Sequence, residues 1–184
     1  MPMIRDAAPD ADIDAVRELF LEYQAAIGVD LCFQGFREEL ATLPGAYSRP
    51  AGRLLLAVDG RKILGCVGLR PLGGSDCEMK RLYVRPEARG LCHGRLLVTT
   101  VLAEARMASY RRVLLDTLPS MSEAIALYRS LGFADAAPYC HNPIAGALYF
   151  SLELRPPNSA PHRDGREAAH FGQLPSAPAR GRER

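Results

Sequence analysis

Three observations predict an α/β fold, a mixed sheet covered by helices. Stretches with apolar residues three and four apart alternate with short aliphatic runs. An Asp-Gly pair joins two of those runs as a hairpin, so part of the sheet is antiparallel. A later strand–helix–strand succession needs a crossover, which brings in a parallel pair. The 184 residues are 48% hydrophobic and 24% charged, one ordinary soluble domain's worth. That excludes collagen, a disulfide mini-protein and a chain disordered throughout.

Ile4-Arg5 reads as a first short strand. Asp10 is placed to cap a helix, with Asp12 and Asp14 in its first turn, where the helix dipole favours them. Ile13, Val16, Phe20, Tyr23 and Ile27 form its apolar stripe, and Gly28 ends it. A shorter helix covers Phe36 to Leu43, stopped by Pro44-Gly45. Arg53–Val58 and Arg61–Leu69 form a hairpin about Asp59-Gly60, whose residues suit a turn with positive φ. Asp76–Arg85 is a strand stopped by Pro86. Leu96–Ala108 is helical, with Leu97, Val101, Ala105 and Ala108 on one face, and Val113–Leu115 is a buried strand. Ser120 and Glu123 have the spacing of a capping box opening a helix through Ala124, Leu127 and Leu131, with Phe133 packing back after Gly132. Tyr149–Leu154 is the last strand.

The periodicity stops at Arg155. Five of the 14 prolines lie in 155–184, among Gly, Ser, Ala and Arg. The reading is therefore a folded domain at 1–154 and a disordered Pro/Arg-rich tail at 155–184. The tail's six arginines against three acids give +3, so of the net +2 the rest carries 2 − 3 = −1. A near-neutral domain gives no reason to expect nucleic acid. No run approaches the roughly 20 apolar residues of a membrane span, and no apolar stretch follows the N-terminal Arg5. The expected address is cytoplasmic, with no membrane partner. The five cysteines are odd in number and lack a C-x-x-C, and the four histidines do not pair at helical spacing. No disulfide framework and no metal are expected.

The informative stretch is Leu82-Tyr83-Val84-Arg85-Pro86-Glu87-Ala88-Arg89-Gly90-Leu91-Cys92-His93-Gly94-Arg95. A strand runs through a glycine-containing turn into a helix. The first turn of a helix carries unpaired N–H groups and a positive dipole end, and two glycines let an anion approach it closely. Arg89 and Arg95 add positive charge at its mouth. The plain alternative is a strand–helix turn that binds nothing.

Residues 82–90, with Gly94-Arg95 and with Ala124-Ile125-Ala126-Leu127-Tyr128-Arg129-Ser130-Leu131-Gly132-Phe133, resemble the GCN5-related N-acetyltransferase (GNAT) family over about residues 3–154. Glu78-Met79-Lys80-Arg81 also looks like a bacterial branch of that family whose substrates are mostly unassigned. The resemblance implies a GNAT-like fold, a central mostly antiparallel sheet of six to seven strands flanked by about four helices and splayed at the cofactor cleft. It also implies acetyl-CoA as co-substrate and transfer of its acetyl group to a primary amine. The backbone of Leu82, Tyr83 and Val84 would hold the pantetheine arm. Arg89, Gly90, Leu91, Cys92, His93, Gly94 and Arg95 would bind the pyrophosphate. Two positions depart from the family pattern: Cys92 stands where a loop glycine is usual, and Met121 where many members carry Asn.

An amine must lose a proton before it attacks, and the departing thiolate benefits from an acid. Tyr128 occupies the family's general-acid position; otherwise it is a core tyrosine. Glu78 is the first candidate for base, Asp116 the second and a water relay the third, while the plain alternative for Glu78 is an ion pair with Lys80 or Arg81. Gln34, Phe36, Tyr139 and Asn142 are candidates for the substrate pocket, and Arg81 for a partner to a substrate carboxylate. The expected acceptor is a small-molecule amine, and a homodimer stays open. The alternatives are a protein N-terminal or lysine acetyltransferase, and a non-catalytic acyl-CoA-binding or partner-binding module with a degenerate phosphate loop.

Overall fold

The computed structural model describes residues 3–154. The expected tail, 155–184, lies outside the described residues. Seven strands form one sheet: β1 (Met3–Asp6), β2 (Arg53–Asp59), β3 (Lys62–Gly73), β4 (Asp76–Val84), β5 (Arg112–Thr117), β6 (Ala134–Asp135) and β7 (Leu148–Glu153). Four α-helices cover it: α1 (Ile13–Ile27), α2 (Phe36–Thr42), α3 (His93–Met107) and α4 (Ser122–Ser130). The spatial order is β1-β2-β3-β4-β5-β7-β6. The β4–β5 pair is parallel, as the α3 crossover requires, and the other pairs are antiparallel.

Strand alternation divides the core into two. On β2, Leu55 and Ala57 face a cluster with Leu97, Val98, Val101 and Leu102 of α3, joined by Tyr128, Phe133 and Phe150. Leu54, Leu56 and Val58 face the other side, with Val16, Leu19 and Phe20 of α1, Phe36 of α2 and Tyr47. Each fully buried Leu or Phe removes enough apolar surface to contribute about 1.5–3 kcal/mol, so both faces of the sheet are anchored.

Three local expectations need correction. Asp10 does not cap α1. The residue before the helix is Asp12, whose carboxylate accepts from the Ala8 N–H at 2.7 Å and pairs with Arg5 at 2.5 Å, closing the turn ahead of the helix. The hairpin loop is Gly60-Arg61, because Asp59 already pairs with Lys62, and Gly60 alone takes a positive φ, of 58°. Ser120 does not cap α4 either: Met121 takes the cap position, with no side-chain capping bond.

Candidate active site

The site begins with a parting of strands. β4 pairs with β5 only from Asp76 to Glu78. Beyond that, β5 continues beside β7 to Thr117, while β4 stays with β3 as far as Val84. The edge of β4 from Met79 to Val84 is left open toward β5. A Cβ at Gly65 of β3 would collide with the Tyr83 carbonyl oxygen, so that peptide faces β3. By alternation the peptide groups of Leu82 and Val84 face the open side. The Val84 carbonyl there accepts a bond from Arg89 Nε at 3.1 Å.

β4 also carries a bulge that the sequence reading did not contain. Cys66 pairs with Tyr83 and Gly68 with Lys80, so β4 has one residue more than β3 across this step. Arg81 sits in it at φ 58°. Its side chain is 4% exposed, and its guanidinium is bound by Glu39 at 2.6 Å and lies over the Phe36 ring at 4.9 Å. Arg81 is thus committed to Glu39, not free for a substrate carboxylate, and Phe36 is part of the core beneath it.

After β4 the chain makes a turn at Pro86–Ala88 and reaches α3 through Gly90, φ 78°, and Cys92, φ 61°. The first bond of the helix runs from the Leu96 N–H to the Cys92 carbonyl, at 3.0 Å. Among the described residues, the N–H groups of Gly90 to Arg95 have no acceptor. Six donors at the positive end of a helix make an anion cradle. A Cβ at Gly94 would lie 3.7 Å from Leu127 and 3.9 Å from Val84, ordinary contacts, so packing alone does not require glycine there. Without a Cβ the backbone there is left open to close approach. His93 is buried, and its Nδ1 donates to the Ala88 carbonyl at 2.9 Å, tying the turn to the helix. Arg95 donates to Ser130 Oγ at 2.8 Å, joining α3 to α4. Cys92 is exposed at the mouth of the cradle.

A cleft of about 810 Å³ runs from this cradle along β4. Leu82, Tyr83, Val84 and the loop line one side, and Ser120 to Ala124 the other. Tyr23, Ile27, Leu82 and Met121 line both this cleft and a deeper, narrower pocket, which also touches Gln34, Lys80, Asp116, Tyr128 and Asn142. Tyr128 packs its ring against Phe133 and Phe150, at 5.8 and 6.3 Å. Its hydroxyl has no hydrogen-bond partner among the described residues. Burial, with the nearby Tyr23 and the Asp116 charge, raises its pKa further, so it stays protonated through the neutral range.

Behind the pocket lies a buried polar array. Glu78, 1% exposed, pairs with Arg70 at 2.8 Å and Lys80 at 3.2 Å, and accepts from the Tyr139 hydroxyl at 2.8 Å. Lys80 reaches Asp116 at 3.2 Å on its other side. Asp116 also accepts from Asn142 at 2.9 Å and Gln34 at 3.2 Å. Burial, with the charges of Glu78 and Asp116, pushes the Tyr139 hydroxyl far up. Ligand atoms of Glu78, Asp116 and Cys140 lie within 4.8 Å of one another, a spacing a metal ion would fit. Here the Lys80 ammonium supplies the positive charge between the two carboxylates. The structure therefore gathers Glu78, Asp116, Tyr139, Asn142 and Gln34 into one network. It puts Asp116, not Glu78, on the pocket wall. The sequence offers Lys80 only as a partner of Glu78 and gives Arg70 no role. Their signals were the i, i+2 spacing of Glu78 and Lys80 on one strand face and the cross-strand pairing of Arg70 with Glu78.

A parted β4–β5 pair beside an anion cradle that opens α3 defines a ligand-binding α/β fold. Residues 13–133 match the family described as Acetyltransferase (GNAT) family. The chain is 44% identical over 145 residues to an uncharacterized N-acetyltransferase of Schizosaccharomyces pombe, covering 78% of this chain and 89% of that one. It is 35% identical over 141 residues to an IAA acetyltransferase of Azospirillum brasilense, covering 76% and 90%. A GNAT-family acetyltransferase from Staphylococcus aureus superposes with a TM-score of 0.70 at 19% identity, covering 84% of this chain and 100% of that one. A putative acetyltransferase from Salmonella typhimurium, solved with acetyl-CoA, superposes with a TM-score of 0.61 at 21% identity, covering 88% and 98%. The chain belongs to the GNAT family of N-acetyltransferases. Among its described residues, no helix is long and apolar enough to cross a membrane.

Proposed function

We propose that this protein is an acetyl-CoA-dependent N-acetyltransferase acting in the cytoplasm on a primary amine of a small molecule, by direct attack of the amine on the thioester. The observation that carries the reading is that the pocket holding Tyr128 and Asp116 meets the cleft, at Tyr23, Ile27, Leu82 and Met121. An unpartnered phenol and a carboxylate line one narrow pocket that opens onto the cleft.

The residues present fit the co-substrate. The free N–H groups of Gly90 to Arg95 suit a pyrophosphate, and the turned-out peptides of Leu82 and Val84 suit an amide-bearing arm. The Val84 carbonyl accepts from Arg89 and keeps a second lone pair for an N–H of such an arm. When bound, the thioester supplies an activated acetyl group and a sulfur leaving group. Asp116 accepts the proton that the ammonium loses, directly or through one water. The amine nitrogen bonds to the carbonyl carbon and the carbon–sulfur bond breaks. Tyr128 gives its hydroxyl proton to the departing sulfur and regains one from the nitrogen, which sheds its second proton as the amide forms. Lys80, Asn142 and Gln34 hold the Asp116 carboxylate in place, and Glu78 fixes Lys80 from behind.

Thiol release from acetyl-CoA in the presence of a panel of primary amines tests this. The expected result is amine-dependent release, lowered about 10²–10⁴-fold in Asp116→Asn, the usual size of a proton-transfer contribution. Wild-type turnover in Asp116→Asn would return the role to Glu78 or to water alone. No amine-dependent release from any of the panel would favour a binding module.

A further inference from the structure

Gln34 presents an imbalance within the polar array. Its Nε2 donates to Asp116 Oδ2 at 3.2 Å. That bond fixes the amide's orientation, since a flipped amide would set two acceptors against each other. The other end of the amide, Oε1, is wholly enclosed with no donor, and among the described residues it is the one wholly enclosed side-chain nitrogen or oxygen in that state. Buried acceptors are almost always paired, so one without a donor in a ligand pocket needs a reason. Gln34 lines the pocket beside Asp116 and Tyr128.

We infer that Gln34 Oε1 is the second acceptor for the substrate nitrogen and makes the enzyme selective for primary over secondary amines. The inference rests on the acetyltransferase reading above. An attacking amine directs its lone pair at the thioester carbon, so a primary amine has two N–H bonds to place. One meets Asp116 and the other Gln34. A secondary amine has only one N–H and leaves Gln34 buried and unpaired, a mismatch that costs rate. The pocket's narrowness, about 30 Å³ of free space, suits an amino group on an unbranched carbon.

The test compares a series of straight-chain and arylalkyl primary amines with their N-methyl counterparts, in wild type and Gln34→Met. Methionine keeps the length of the side chain, and Lys80 and Asn142 still hold Asp116. Wild type should prefer each primary amine at least tenfold in kcat/KM. In the variant the primary amines should lose about tenfold and the N-methyl amines little, so the preference collapses. An equal loss for both classes would show that Gln34 only supports Asp116, and no loss would show that it does nothing; either overturns the inference. If wild type acetylates none of the amines, the acetyltransferase reading fails and the inference with it; activity without the collapse of the preference overturns the inference alone.

Discussion

Tyr128 shows how one side chain serves both packing and chemistry. Its ring belongs to the core with Phe133 and Phe150, and its hydroxyl is left without a partner at the pocket. Tyr128→Phe keeps the ring contacts and removes the proton donor. We expect kcat to fall about 10²–10⁴-fold with acetyl-CoA affinity nearly unchanged, because the phenol acts only as the sulfur departs. Steady-state kinetics beside a binding titration separates the two, and a wild-type kcat would return Tyr128 to the core alone. Cys92 poses a different question. At φ 61° its Cβ is strained by about 1–2 kcal/mol, more than the roughly 0.5–1 kcal/mol that glycine's extra freedom costs. Cys92→Gly should therefore stabilise the ligand-free protein by about 0.5–1 kcal/mol in chemical denaturation. A less stable variant would show that the thiol makes a compensating contact.

At the scale of elements, the bulge in β4 is held by one buried ion pair. Arg81→Met leaves Glu39 buried without its partner, which should cost about 3–5 kcal/mol, far more than an exposed pair. Urea denaturation reads this, and a cost below about 1 kcal/mol would mean that the bulge stands without the pair. The same pair shapes the response to acid. Burial pushes the Glu39 carboxyl upward, but the bonds and charge of Arg81 and the Tyr47 hydroxyl outweigh it, and its pKa ends below the ordinary value. Asp12 is likewise lowered, chiefly by its bond to Arg5. A carboxyl with a lowered folded pKa binds protons more readily when unfolded. Its stabilisation is complete above the unfolded value, about 4, and is lost as pH falls through the folded one. Stability should decline below about pH 4.5, and Glu39→Gln should flatten that decline; an unaltered acid limb would contradict the assignment.

These elements also show what was legible in the sequence. The strand–loop–helix at 82–95 and the helix that stops just before Gly132 could be read because their signals are local: glycines, a proline, apolar spacing. The bulge could not, since Arg81 interrupts an otherwise ordinary strand and its reason, Glu39, lies 42 residues away. The capping roles of Asp10 and Ser120 failed for a related reason: the helices begin at Ile13 and Ser122. Of the candidate site, the cradle and Tyr128 were visible. Which of Glu78 and Asp116 lines the pocket was not, because it depends on where β4 and β5 separate.

For the whole molecule, the described fold closes at Leu154, which is 5% exposed and donates its N–H to the Arg111 carbonyl at 2.7 Å. Truncation after Leu154 should leave the melting temperature within a degree or two of the full chain's. A drop of many degrees would show that residues beyond it contribute to the core. The central claim, that the cleft between β4 and α4 binds acetyl-CoA, is tested most directly by melting the protein with and without it. A ligand held only by the native state at a hundredfold excess over Kd adds about 2.7 kcal/mol, or roughly 5–10 °C for a domain of this size. The account predicts that rise with acetyl-CoA and with CoA. A melting temperature unmoved by millimolar acetyl-CoA would contradict it.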